Sequence, residues 1–171
     1  MQFWFTSDYH LGHANIIKYC NRPFRDVQQM NETIIRNHNA RVKPEDIVFH
    51  LGDFCFKNTM NGKPGEGVPI SAREWESKLN GKIIHIRGNH DRNNSIKSII
   101  QGILIKHCGK EIYLVHNPEN FNPKYKINLV GHVHDSWKVK QHPEGWLLIN
   151  VGVDVWNFMP VTLQEILNDN K

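Results

Sequence analysis

Five times along the chain a short β-forming run stops at a cluster of His, Asp or Asn. The clusters are Asp8-Tyr9-His10, Gly52-Asp53, Gly88-Asn89-His90-Asp91, Val115-His116 and Gly131-His132-Val133-His134. In open sheets, ligand sites gather just beyond the carboxyl ends of strands, so clusters remote in sequence can meet at one place. Residues at i and i+2 of extended chain point the same way, which pairs Asp8 with His10 and His132 with His134. The glycines at 52, 88 and 131 allow tight turns and close approach of backbone to a bound group. Taken singly, each cluster is an ordinary polar turn or a histidine bonded to backbone. Their common position after strands is what makes them a set.

Two Asp, one Asn and four His make a mixed oxygen and nitrogen donor set without thiolate. That set suits Mn²⁺, Fe or Zn²⁺ in a reactive site better than a structural zinc site. Seven donors exceed the needs of one tetrahedral ion and fit two ions sharing a carboxylate.

The rest of the chain supplies the scaffold. Strands are expected over Gln2–Thr6, Asp46–His50, Lys82–Arg87, Ile103–His107, Glu111–His116, Ile127–Val130, Trp137–Gln141 and Trp146–Val151. Val27–Arg41 carries Val27, Met30, Ile34, Ile35 and His38 at helical spacing. Ser71, with Glu74 at the capping-box position, opens a helix running to Leu79, and Thr162–Leu167 closes the chain as a helix. Phe56–Pro69, rich in Gly and Pro, reads as a loop. Helices alternate with strands early and strands dominate late. This predicts one α/β domain over residues 1–171, with two packed mixed β-sheets sandwiched by helices.

Lys and Arg total 21 against 17 Asp and Glu, a surplus of +4 that tolerates an anionic substrate without forming a dedicated nucleic-acid stripe. No apolar run reaches the roughly 18 to 20 residues of a membrane helix, and the N-terminus lacks a basic region and cleavage site. Cys20, Cys55 and Cys108 have no paired spacing. A soluble cytoplasmic protein without membrane partners is expected; the oligomeric state is not written in these residues.

In that order, D-x-H, G-D, G-N-H-D, His and G-H-x-H resemble the motifs of the calcineurin-like metallophosphoesterase superfamily. The stretch from Trp4 to Ile17, and Asn150–Asp154 with Pro160-Val161, resemble its small bacterial and phage branch. The resemblance implies an α/β/β/α sandwich and two divalent cations, Mn²⁺ foremost with Fe, Zn²⁺ or Ni²⁺ as alternatives. By matching motif, Asp8, His10, Asp53 and His134 would hold the first ion. Asp53 would bridge to a second held by Asn89, His116 and His132. His90 would be the catalytic histidine. Water shared by the ions would attack phosphorus in line, and His90 would protonate the leaving oxygen. Phe56 stands where protein phosphatases of the superfamily carry an aspartate that supports this histidine, which weakens a phosphoserine-phosphatase reading.

The expected activity is that of a phosphodiesterase on small or flexible, nucleotide-like phosphodiesters. A nuclease on single-stranded or terminal nucleic acid is the alternative. A phosphomonoesterase and a metal-bound scaffold like the retromer subunit of this fold follow below. His13 and Arg92 are candidate substrate contacts. Arg22 and Arg25 read as solvated loop charges, Asn15 as a helix cap, and Trp137, Trp146 and Trp156 as core.

Overall fold

The computed structural model describes residues 1–56, 70–93 and 96–169. The expected loop therefore lies outside the described residues beyond Phe56, as does the side chain of Arg92.

Strands β1 (Phe3–Thr6), β2 (Ile47–His50) and β3 (Lys82–His85) pair in parallel, in the order β1-β2-β3. The second sheet contains β4 (Gly102–His107), β5 (Lys110–Val115), β6 (Ile127–Val130), β7 (Val139–Gln141) and β8 (Leu147–Asn150). Its order is β4-β5-β6-β8-β7, with β5-β6-β8 parallel and both edge strands antiparallel. The smaller sheet is thus parallel throughout, because helical crossovers join its strands, while the larger one is mixed.

Period-two alternation builds the layers. Phe5, Phe49 and Leu51 from the first sheet meet Ile112, Leu114, Leu129 and Ile149 from the second in one buried core. The opposite face of the first sheet is covered by α1 (Ile16–Tyr19), α2 (Val27–Arg41) and α3 (Ala72–Glu76). Met30 and Ile34 of α2 enter that layer, as their spacing predicts, and the Asp26 carboxylate caps the helix at Gln29 N–H. Ser71 caps α3 as expected, although regular helix stops at Glu76 rather than Leu79. The last helix, α4 (Leu163–Asp169), packs Leu163 and Ile166 into the inter-sheet core. Before it, Phe5 and Val161 exchange backbone hydrogen bonds of 2.8 and 3.0 Å, covering the free edge of β1.

Trp156 is buried as expected, whereas Trp137 and Trp146 are half-buried against Val115, Val130 and Leu148 on the outer face of the second sheet. Among the described residues no helix is long and apolar enough to cross a membrane.

Candidate metal centre

The clusters follow β1, β2, β3, β5 and β6, and the fold brings them together at one end of the two sheets. Beyond the strands, the first two loops continue as a backbone zipper. Asp8 N–H donates to Gly52 O, His10 N–H to Asp53 O and Leu11 N–H to Phe54 O, each at 3.0 Å. Two donor groups result: Asp8 with His10 and His134, and Asp53 with His116 and His132, each drawn from both sheets.

Asp53 stands between them. Its Oδ2 lies 3.5 Å from His10 Nε2 and 3.5 Å from His116 Nε2. Asn89 Oδ1 lies 3.0 Å from His116 Nε2 and 2.9 Å from His132 Nδ1, which adds it to the second group. All seven sequence-predicted donors therefore converge.

Backbone geometry and side-chain partners both mark the cluster as built for a ligand. Asp8, His10, Asp53, His132 and His134 all have φ between 48° and 72°. Such left-handed non-glycine residues cost on the order of 1–3 kcal/mol each and persist only where surroundings enforce them. Close approach of backbone helps to enforce them. A Cβ on Gly88 would sit 2.2 Å from Asp53 Oδ1, and one on Gly131 would sit 2.0 Å from Ser7 Oγ. The space freed lets His132 N–H donate to Asp8 Oδ2 at 2.9 Å.

The buried atoms Asp8 Oδ1 and His10 Nε2 have no hydrogen-bond partner. Burying polar atoms unpaired is costly, and a divalent cation between them removes that cost. Burial, aided by nearby Arg22 and His134, holds His10 well below the usual histidine value, in the neutral form that ligates. Burial likewise raises the Asp8 carboxyl, against the pull of His116 and His134. The donor set thus fits divalent metal ions.

Outer partners fix the rings. His116 Nδ1 lies 2.7 Å from Leu51 O and donates to it, leaving Nε2 for the cluster. His134 Nδ1 donates to Asp154 Oδ2 at 3.0 Å. Asp154 is held in turn by Arg22, whose Nε and Nη2 reach its two oxygens at 2.8 and 2.9 Å. Burial alone would raise the Asp154 carboxyl, but these partners hold it below its usual value. Arg22 also donates to the carbonyls of Asp8 at 2.7 Å and Tyr9 at 3.1 Å.

The expectation that Arg22 is a solvated loop charge is therefore corrected: its side chain is fully buried. A bidentate carboxylate and two carbonyls supply the pairing that makes burial of a guanidinium tolerable. Arg25, by contrast, is exposed. Asn15 occupies the cap position of α1 without a side-chain capping bond.

Asp91, which the sequence analysis gave no role, accepts from the N–H groups of Asp53, Phe54 and Gly88 at 2.8–3.1 Å. It clamps the loop after β2 to the loop after β3. His90 is exposed at the mouth, with its backbone N–H donating to Asp53 Oδ1 at 2.9 Å. Its ring centroid lies 5.2 Å from that of His10 and 6.1 Å from that of His13. His13 reaches the site too: its Nδ1 is 3.4 Å from His10 Nδ1, and burial, reinforced by His90 and Arg22, lowers it to about 4. Phe56 stacks on His13, ring centroids 4.4 Å apart.

Residues 1–160 match the family model described as calcineurin-like phosphoesterase, and the chain belongs to that family. Its two sheets with helices, and the convergent donors at their common end, are the parts such an enzyme needs. A relative 36% identical over 178 residues, the uncharacterized protein MJ1445 of Methanocaldococcus jannaschii, matches 97% of this chain and 89% of its own. The gene 66 protein of Mycobacterium phage L5 is 33% identical over 88 residues, 52% of this chain and 39% of its own length. Among solved structures, the protein of unknown function AQ665 from Aquifex aeolicus superposes with a TM-score of 0.69 at 28% identity. That match covers 97% of each chain.

Proposed function

We propose that this single-domain phosphoesterase is a phosphodiesterase using two divalent cations, with Mn²⁺ foremost, on nucleotide-like diesters. The observation that carries the reading is the position of Asp53 Oδ2, 3.5 Å from a histidine of each donor group, where one carboxylate would serve both ions. Bound cations of this kind acidify water and neutralise charge on phosphoryl oxygens.

The protein's own groups do the rest. Asp8, His10 and His134 would hold one ion, Asn89, His116 and His132 the other, and Asp53 both. His90, at the mouth and outside both groups, faces the phosphoryl group and donates a proton to the leaving oxygen. Beside it, the wall of His13 stacked on Phe56 suits the organic arm of a diester. A compact dianionic monoester asks instead for further cations around three oxygens.

The test is hydrolysis of bis-p-nitrophenyl phosphate against the mono-ester, with Mn²⁺, Ni²⁺, Zn²⁺ or chelator. Preference for the diester is expected, and preference for the mono-ester overturns the assignment. His90→Asn should retain metal stoichiometry while kcat falls about 10²-fold or more, the usual weight of general acid catalysis. Asp53→Asn should lose metal along with turnover. A His90 variant that loses metal but keeps activity per bound ion would contradict these roles.

A further inference from the structure

A cavity of about 250 Å³ opens directly from the second donor group, with Asn89, His116 and His132 in one wall. Whole-ligand pockets run from roughly 300 to 1,000 Å³, so this one takes a single substituent of a substrate whose reacting phosphate sits at the donor groups. Arg87, Asn117 and Asn120 line the same cavity.

Arg87 ends the run that carries β3 toward Asn89. Its backbone N–H donates to Ile100 O at 2.8 Å, which pins it against the approach to β4. Its half-buried guanidinium forms no ion pair among the described residues. Arg22, also beside the donors, is consumed by Asp154 and two carbonyls. Asn117 Oδ1 accepts from Glu119 N–H at 2.9 Å, which leaves its Nδ2 hydrogens as the group available to the cavity. The described lining contains no carboxylate. The cavity therefore offers a fork of guanidinium donors and amide hydrogens beside the cluster, the chemistry that recognises phosphate oxygens.

We propose that this cavity is a subsite for a second, non-reacting phosphate, and that Arg87 is its positioning residue. Resting on the phosphodiesterase reading, this narrows the substrate to a diester carrying another phosphate one sugar away. A phosphorylated dinucleotide and the phosphorylated end of a nucleic-acid strand share that chemistry.

Equilibrium titration tests the subsite without requiring turnover. Thymidine 3′,5′-bisphosphate and thymidine 5′-monophosphate are titrated into the metal-loaded protein, into Arg87→Ala and Arg87→Lys, and into Lys106→Ala as a distant charge control. The bisphosphate should bind roughly tenfold tighter or more, the worth of one charge-assisted contact. Arg87→Ala should erase the difference, Arg87→Lys should keep part of it as a point charge, and Lys106→Ala should keep it whole. Equal binding of the two nucleotides by the wild-type protein, or equal weakening of both by Arg87→Ala, overturns the subsite.

Hydrolysis of dithymidylate with and without a 5′-phosphate, beside 5′-phosphorylated oligothymidylate, then reads the source. Faster turnover of the phosphorylated dinucleotide assigns the small substrate, and faster turnover of the oligonucleotide assigns the strand end. If the bisphosphate advantage holds while no diester is hydrolysed with any metal, the subsite stands and the phosphodiesterase reading falls.

Discussion

Arg22 ties three donors of one group to each other through atoms that never enter the cluster. It holds the carbonyl of Asp8, the carbonyl of Tyr9 ahead of His10, and the Asp154 carboxylate that orients His134. Arg22→Ala or Asp154→Asn should weaken the ion at Asp8, His10 and His134 by about 10- to 100-fold, as loss of an outer partner of a ligating histidine does. The ion at Asp53, His116 and His132 should be affected less. Titration with Mn²⁺ followed by electron paramagnetic resonance would separate the two, and uniform weakening of both would contradict the division. Sequence alone hid this arrangement because Arg22 and Asp154 are 132 positions apart. Nothing local separates a buried Arg from a solvated one. The seven donors were legible for the opposite reason, since each sits immediately after a strand in a short patterned cluster.

The ends of elements carry the next layer of consequence. At Gly88, after β3, even a methyl group would collide with Asp53 Oδ1 and with Asp53 N at 2.3 Å. Because both contacts belong to a rigid turn, Gly88→Ala should abolish uptake of the shared-carboxylate ions, with retained circular dichroism showing that the sheets survive. His50, the last residue of β2, is wholly buried, and neither of its ring nitrogens has a partner. Burial first, then the neighbouring His85, His38 and His116, hold it well below 6.5. Above about 6.5 it is neutral folded and unfolded, so stability there is independent of it. As pH falls below that value the unfolded chain takes a proton that the folded one refuses, and stability drops. His50→Leu should flatten acid unfolding below pH 6.5 by up to about 1.4 kcal/mol per pH unit, read from urea midpoints, at little cost at pH 7. Strand ends were foreseen to within a residue or two because hydrophobic alternation stops where they stop. Trp137 and Trp146 proved to lie outside regular strand, since aromatic content alone does not fix ladder pairing.

At the scale of the whole molecule, the donors come from loops of both sheets, which also meet in the apolar core between them. Ions bound there favour the docked arrangement over the separated one. At one hundred times its dissociation constant an ion adds about 2.7 kcal/mol, which for a chain of this size corresponds to roughly 5–10 °C in Tm. Chelator should lower Tm by that order, and differential scanning calorimetry with graded Mn²⁺ would show it; a Tm indifferent to metal would mean that the sheets align unaided. The layered architecture was readable from strand count and order. The partners and register of the individual strands were not, because register between strands is set by contacts that periodicity cannot express.

Since Asp53 belongs to one layer and His116 to the other, the spacing of the two donor groups is ruled by how the layers seat on Ile149, Leu129 and Phe49. The donor cluster is in effect a vernier scale for the molecule's interior. With the two proposed manganese ions bound, a trimmed methyl group far from any ligand would register as a changed spin coupling before it registered as a loss of folding.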